Sequence, residues 1–422
     1  MAQTDVRPDV SARLTAWYRR NREITAQLFA IPVPEDYLAR PIPLRHPIEF
    51  YEGHLPAFSY ITLNRGALGQ PPIDEHFEKF FQRGIDPDDL KTAQAQSVTE
   101  WPTREEVRRL ASLWDAAVIS ALDDITRQGH KAPALSRQGA YTILEHEPMH
   151  HETFLYMLHR LPVAEKRRPA GAQKPRDGEV PAGKRIAIPA GKATLGARSS
   201  DVVFGWDNEF EETRVDVPAF EIDAHSVTNA DWLKFVDAGG EPAPFWVRRG
   251  DEWHQSAMFD EIPLPLAWPA YVTQEQATAY ARWQGRRLPS EGEYHRAAYG
   301  TAGGEERPQP WGDAAPDSTR GNFGLERYDP VPAGSYPAGA SAWGVHDLVG
   351  NGWEWTSTVF GPLPGFAPMK TYPPYSSDFF DGQHYVMKGA SAVTARELIR
   401  RSLRNWFRPN YPYVYAKFRT VN

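Results

Sequence analysis

Amphipathic helical periodicity runs through the first 162 residues and then stops. In TREEVRRLASLWDAAVISALDDI, the residues Val107, Leu110, Trp114, Val118, Ala121 and Ile125 recur three and four positions apart, which puts them on one helical stripe. Thr103 and Glu106 form a capping-box pattern at its start. SARLTAWYRRNREITAQLF predicts a second helix, with Leu14, Trp17, Ile24 and Leu28 on one side. PIEFYEGHLPAFSYITL and SRQGAYTILEHEPMHHETFLYMLHRL predict two more. Four such helices predict an all-α four-helix bundle over residues 1–162, an architecture that builds sites from side chains on facing helices.

Residues 163–186, VAEKRRPAGAQKPRDGEVPAGKRI, are polar and rich in Pro, Gly and charge, the signature of a linker. From 187 to 422 short strand-like pieces (RIAIPAG, TRVDVPAFEID, YVMKG) alternate with Gly/Pro turns, and two short helices remain, NADWLKFVDAG and TQEQATAYARWQG. Most of the 14 Trp, 18 Tyr and 20 Phe lie in this second half, so the two halves belong to different fold classes. A multidomain chain follows, with an α+β C-terminal domain containing much irregular structure.

A net charge of −7 gives no general attraction to nucleic acid or to anionic membranes. No apolar run is long enough to span a bilayer, and MAQTDVRPDVSARL lacks a signal core, so the sequence reads as cytoplasmic. The absence of cysteine excludes thiolate metal sites and cysteine nucleophiles. Any transition metal must be held by His, Asp, Glu or backbone groups.

LEHEPMHHETF concentrates the candidate ligands. His146 and His150, at i and i+4, share one helical face. Thirteen histidines in 422 residues give roughly 0.4 such pairs by chance, so the spacing alone does not decide. Pro148, between them, removes a helical hydrogen bond and crowds the Leu144 carbonyl, which predicts a kink or a tolerated break. His151 lies about 100° away round the helix and reads as a surface residue or one behind the ligands. A third ligand must come from another helix. His54, in the apolar segment FYEGHLPAF, is the leading candidate because an imidazole there needs a partner; His46 and His76 are alternatives.

GHLPAF followed by HEPMHHE resembles the metal-site pair of the DinB-like bundle in ergothioneine-pathway sulfoxide synthases. WDNEFEETRVDVPAFEID, RLPSEGEYHRAA, GNFG, GVHDLVGNGWEWTST and RRSLRNWFRPNYPYVYAKFR are similar, in order, to the formylglycine-generating-enzyme, C-type-lectin-like fold. Most of Trp283, Trp311, Trp353 and Trp355 are expected to be scaffold. The resemblance implies that His54, His146 and His150 bind Fe(II), that O2 is a co-substrate, and that hercynine (Nα-trimethylhistidine) receives a chalcogen atom on its ring. Met149 stands where the family has glutamine. Alignment places the family's proton-donating tyrosine at Tyr372, with Tyr375 as the alternative. A structural Ca²⁺ in the C-terminal domain is allowed by the same resemblance.

Asn405 and Trp406 match the family's site-lining RNW element. Ergothioneine-type enzymes then carry an aspartate and, four residues later, an arginine that grip γ-glutamylcysteine; this chain has Phe407 and Tyr411. The corresponding bundle-side stretch, FFQRGIDPDDLKTAQAQ, offers Arg83 as its only arginine. A zwitterionic dipeptide needs paired charges to offset desolvation, whereas aromatic residues suit a sugar. The reading closest to the residues is therefore a selenoneine synthase, which joins hercynine to a selenosugar. The alternatives are the same reaction with a thiol such as γ-glutamylcysteine or cysteine, and a non-catalytic binding module.

Overall fold

The computed structural model describes residues 14–82 and 101–422, which form two compact units. Unit 1 comprises the chain up to Pro169 together with Lys370–Tyr372, and unit 2 is the remainder. Residues 163–186, read from sequence as linker, divide between them. Val33 N–H donates to Glu165 O at 3.0 Å and Arg167 N–H to Ile31 O at 2.7 Å, within unit 1. Asp177 accepts from the Leu266 and Ala267 amides, within unit 2.

Unit 1 is helical. Its described elements include α1 (Leu14–Leu28), α2 (Ile48–Ser59), α3 (Glu75–Phe81), α4 (Arg104–Gln128) and α5 (Ala134–His159). A π-helical stretch, Tyr60–Ala67, continues α2. Helices α1 and α2 each pack on both α4 and α5, and α3 packs on α2. The α4 stripe is buried as its spacing predicts, and Thr103 and Glu106 do form a capping box. The buried face of α1 differs from expectation. It is Leu14, Tyr18, Asn21, Thr25 and Leu28, while Trp17 and Ile24 are only half-buried. Hydrophobicity alone selects the wrong residues because three of the buried positions are polar or amphipathic and find partners across the helix contact. Tyr18 OH donates to Asp115 at 2.6 Å and Thr25 Oγ1 to Glu147 at 2.5 Å.

Unit 2 joins small sheets through long turns. β1 (Arg185–Ile188) pairs antiparallel with β4 (Phe220–Asp223), and β2 (Gly191–Leu195) with β3 (Thr213–Val217). β5 (Trp246–Arg249), β6 (Glu252–Ser256) and β7 (Glu261–Pro263) form a meander. β8 (Gly352–Val359), β9 (Tyr385–Ala390), β10 (Asn405–Phe407) and β11 (Ala416–Lys417) form a sheet in the order β10-β9-β8-β11. Helices α6 (Asn229–Asp237) and α7 (Gln274–Trp283) match the two expected. A third, α8 (Glu291–Tyr299), begins within RLPSEGEYHRAA, where Ser290 and Glu293 cap it reciprocally.

The sequence motifs of unit 2 meet as buried ion pairs. Arg400 and Ser402 donate to Glu209, Arg404 donates to both oxygens of Glu291, and Arg419 to both oxygens of Glu354. Each acid has a matching donor, as buried carboxylates require. Asn351 has φ 61° and accepts from Asn322 Nδ2 at 3.1 Å, which ties the GNGWEW loop to GNFG. Trp353 and Trp355 are buried scaffold, whereas Trp283 is 43% exposed. No described helix is long and apolar enough to cross a membrane.

Candidate metal centre

Helix α5 carries His146 and His150 one turn apart, with their Nε2 atoms 3.1 Å from each other. Helix α2 supplies His54, whose ring centroid lies 5.5 Å from that of His146 and 4.9 Å from that of His150. One ligand nitrogen from each of the three lies within 4.8 Å of the others. Among the described residues, no other group of three or more His, Asp or Glu side chains converges in this way, so the Ca²⁺ expectation gains no carboxylate cluster. His46 instead stacks on Phe50, and His76 is exposed beside Phe77.

The local chemistry selects which nitrogens are available. Phe81, at the end of α3, presents its carbonyl oxygen 2.7 Å from His54 Nδ1. A carbonyl only accepts, so Nδ1 carries the proton and the Nε2 lone pair is left bare. That Nε2 is buried and has no hydrogen-bond partner among the described residues. Burial lowers the His54 pKa to about 4, against the raising effect of the Phe81 carbonyl. Burial first, and then the neighbouring imidazoles, push His146 and His150 well below the usual histidine range. All three rings are therefore neutral near pH 7, the form that binds metal. Two Nε2 lone pairs 3.1 Å apart repel unless a proton or a cation lies between them. An orphaned buried lone pair beside that pair fits a divalent transition metal with a preference for imidazole.

Aromatic rings enclose the cluster. Phe58 stacks on His146 with centroids 3.5 Å apart, Phe50 lies parallel to His54 at 5.2 Å, and Tyr51 is 5.8 Å from His150. Gly53, immediately before His54, has a steric reason to be glycine. A Cβ there would lie 2.5 Å from atoms of the Phe81 ring, the residue whose carbonyl orients His54.

Pro148 sits inside an uninterrupted α5. Its missing N–H would have bonded the Leu144 carbonyl. Asn21 of α1 takes that place, with Nδ2 donating to Leu144 O at 2.9 Å. Asn21 is buried, and nothing in LEHEPMHHETF points to it; its only sequence signal is a polar residue in the 14-18-21-25-28 spacing of α1. His151 is 5% exposed and not a surface residue. Its Nε2 lies 2.7 Å from Thr25 Oγ1, facing α1 rather than the ligand cluster. Beside it, Arg22 pairs with the fully buried Glu147 at 2.9 Å. Burial opposes the Glu147 charge, but Arg22, His151 and Thr25 together outweigh it and hold its pKa below the usual value.

A family model described as "Sulfatase-modifying factor enzyme 1-like domain" matches residues 171–422. Over 340 residues the chain is 36% identical to "Hercynine oxygenase" of Mycolicibacterium thermoresistibile, covering 74% of each chain. The chain belongs to the ergothioneine-type sulfoxide synthase family. It is also 29% identical to "Ergothioneine biosynthesis protein 1" of Neurospora crassa, over 92% of this chain and 55% of that protein, so it spans about half the length of the fungal relative. The "Formylglycine-generating enzyme" of Bos taurus is 29% identical over 43% of this chain.

The positions suggested by the likeness to sulfoxide synthases separate into groups. Tyr372 lies in unit 1, its ring 5.1 Å from Phe58 and 6.1 Å from His146, and the preceding Thr371 bonds Thr142 of α5 at 2.9 Å. Tyr375 instead belongs to unit 2, buried and stacked on Trp206 at 3.9 Å. Met149 is half-buried on α5 between His146 and His150. In unit 2, β10 carries Asn405, Trp406 and Phe407. Trp406 stacks on Phe360 at 4.2 Å, and Phe407 on Tyr411 at 4.8 Å. Arg83 lies outside the described residues.

Proposed function

We propose that the chain is a non-haem Fe(II)- and O2-dependent enzyme that forms a bond between the imidazole carbon of hercynine and selenium from a selenosugar. On this reading unit 1 is the DinB-like metal-binding bundle of the family, and His54, His146 and His150 hold the iron. The observation that carries it is the bare, buried His54 Nε2 beside the close His146–His150 pair. Iron bound there would supply the one-electron chemistry that O2 requires. The protein's own contribution is positional. Phe81 fixes the His54 tautomer, and Phe50, Tyr51 and Phe58 limit water around the rings. Tyr372, in reach of the His146 side of the cluster, holds a proton without carrying charge and is the preferred donor over Tyr375.

The selenosugar is favoured by Phe407 and Tyr411. Two neutral rings lying nearly parallel, 23° apart, stand where the family places an acid and a base. The second reading, a thiol donor and an ergothioneine-type product, is favoured by the likeness to "Hercynine oxygenase".

Metal analysis tests the centre. Wild type loaded anaerobically with Fe(II) should retain close to one iron per chain after desalting. His54→Ala, His146→Ala and His150→Ala should each lose most of it. Retention of iron by all three variants would overturn the assignment.

A further inference from the structure

Unit 1 contains a second concavity of about 440 Å³, lined by Phe29, Tyr37, Glu52, Arg104, Arg108 and Arg167 together with small apolar residues between positions 26 and 34. It is separate from the histidine cluster. Glu52 and His54 both lie on α2, and two residues correspond to about 200° of rotation, so they face opposite ways.

Its two walls differ in chemistry. Arg104 and Arg108 are one turn apart on α4 and share a face. Both grip Glu52. Arg104 donates from Nε to Oε2 at 3.0 Å and from Nη2 to Oε1 at 3.2 Å, and Arg108 donates from Nε to Oε1 at 3.2 Å. One carboxylate thus holds two guanidiniums, and Arg167 adds a third. The terminal nitrogens of Arg108 and the guanidinium of Arg167 have no other partner among the described residues. The lining carries a net charge of about +2. The other wall is apolar, with Phe29 and Tyr37 meeting edge-on at 6.5 Å. The Arg104 guanidinium lies 4.0 Å from the Tyr37 ring centroid, which fixes it in place at the junction of the two walls.

A bare inorganic anion would leave the aromatic wall unused, and a neutral apolar molecule would leave two guanidiniums unused. We propose that this cavity binds a phosphate monoester with a flat apolar body, of the nucleoside or aryl phosphate class. A monoester carries close to two negative charges at neutral pH, which matches the uncompensated charge. Its oxygens suit the forked donors of Arg108 and Arg167, and its ring suits the Phe29 and Tyr37 side.

Isothermal titration of the full-length, iron-loaded protein tests this with four probes: adenosine 5′-monophosphate, phenyl phosphate, adenosine and inorganic phosphate. Each is titrated into wild type, Arg108→Gln and Arg167→Gln. These two side chains are chosen because they are exposed and leave the Arg104–Glu52 pair intact. At least one monoester should bind saturably, and at least tenfold more tightly than adenosine or inorganic phosphate. Each substitution should weaken that binding roughly tenfold, the scale of one charge-assisted contact. Three results would overturn the proposal: no saturable monoester binding below about 1 mM, equal binding of inorganic phosphate, or affinity unchanged in both variants, which would put the ligand elsewhere, the iron included.

Discussion

Replacing Asn21 with alanine should loosen α5 specifically because Pro148 is there. In the native structure the only described side chain serving the carbonyl freed by Pro148 is Asn21, at 2.9 Å. Both Asn21 and Leu144 are buried, so no bulk water replaces the lost donor. Leaving a buried carbonyl unsatisfied costs about 1–3 kcal/mol, or roughly five- to 150-fold in a local opening equilibrium. The two-unit chain is not expected to unfold in one step, so a global unfolding free energy is the wrong readout. Native-state hydrogen exchange of the α5 amides reports the local value. The decisive form is a double-mutant cycle. In a Pro148→Ala background the residue-148 amide can bond Leu144 O itself, and Asn21→Ala should then cost at most about 1 kcal/mol, the value of a redundant hydrogen bond. A coupling energy near zero, with Asn21→Ala equally costly in both backgrounds, would refute the idea that Asn21 compensates for the proline.

Gly53→Ala should weaken iron binding without touching a ligand, because the new Cβ must displace the Phe81 ring and with it the carbonyl that orients His54. The expected loss is roughly 10- to 100-fold in affinity, typical of groups behind a ligand, measured by competition with a chelator. Tyr372→Phe should lower turnover roughly 100-fold or more, the lower end for loss of a general acid, with iron content unchanged. Tyr375→Phe should change turnover by less than about threefold, since its ring packs on Trp206 in unit 2. Reversed effects for the two tyrosines would exchange their roles.

The parts legible in the sequence were those governed by local pattern. The α4 stripe and its Thr103–Glu106 cap are visible because spacing and capping act within one helix. The pairing of His146 with His150 follows from the helical period, and the nearness of His54 was suggested by an imidazole in an apolar segment. What escaped was the long-range compensation. The buried face of α1 cannot be read from apolar spacing because Asn21 and Thr25 are polar, and their partners on α5 are what offset the cost of burying them. The sequence leaves His151 either at the surface or behind the ligands, and does not decide between them because its partner, Thr25, lies 126 residues away. Arg400–Glu209 and Arg404–Glu291 could not be paired from sequence, as either arginine could in principle serve either acid. Helix α8 is hard to read from sequence because it is only nine residues long, follows Pro289 closely and carries charge in its first turn.

The central claim is that an iron-bearing histidine centre joins a chalcogen to hercynine, and that the Phe407–Tyr411 change has altered the donor. Side-by-side turnover by the Fe(II)-loaded protein tests it most directly, using hercynine and O2 with either a selenosugar or γ-glutamylcysteine and following product by mass spectrometry. The account predicts a hercynine–selenium adduct with the selenosugar, at a rate at least tenfold above that with the dipeptide, and no adduct from His54→Ala. Efficient turnover of γ-glutamylcysteine with none of the selenosugar would contradict the donor assignment, and adduct formation by His54→Ala at the wild-type rate would contradict the centre itself.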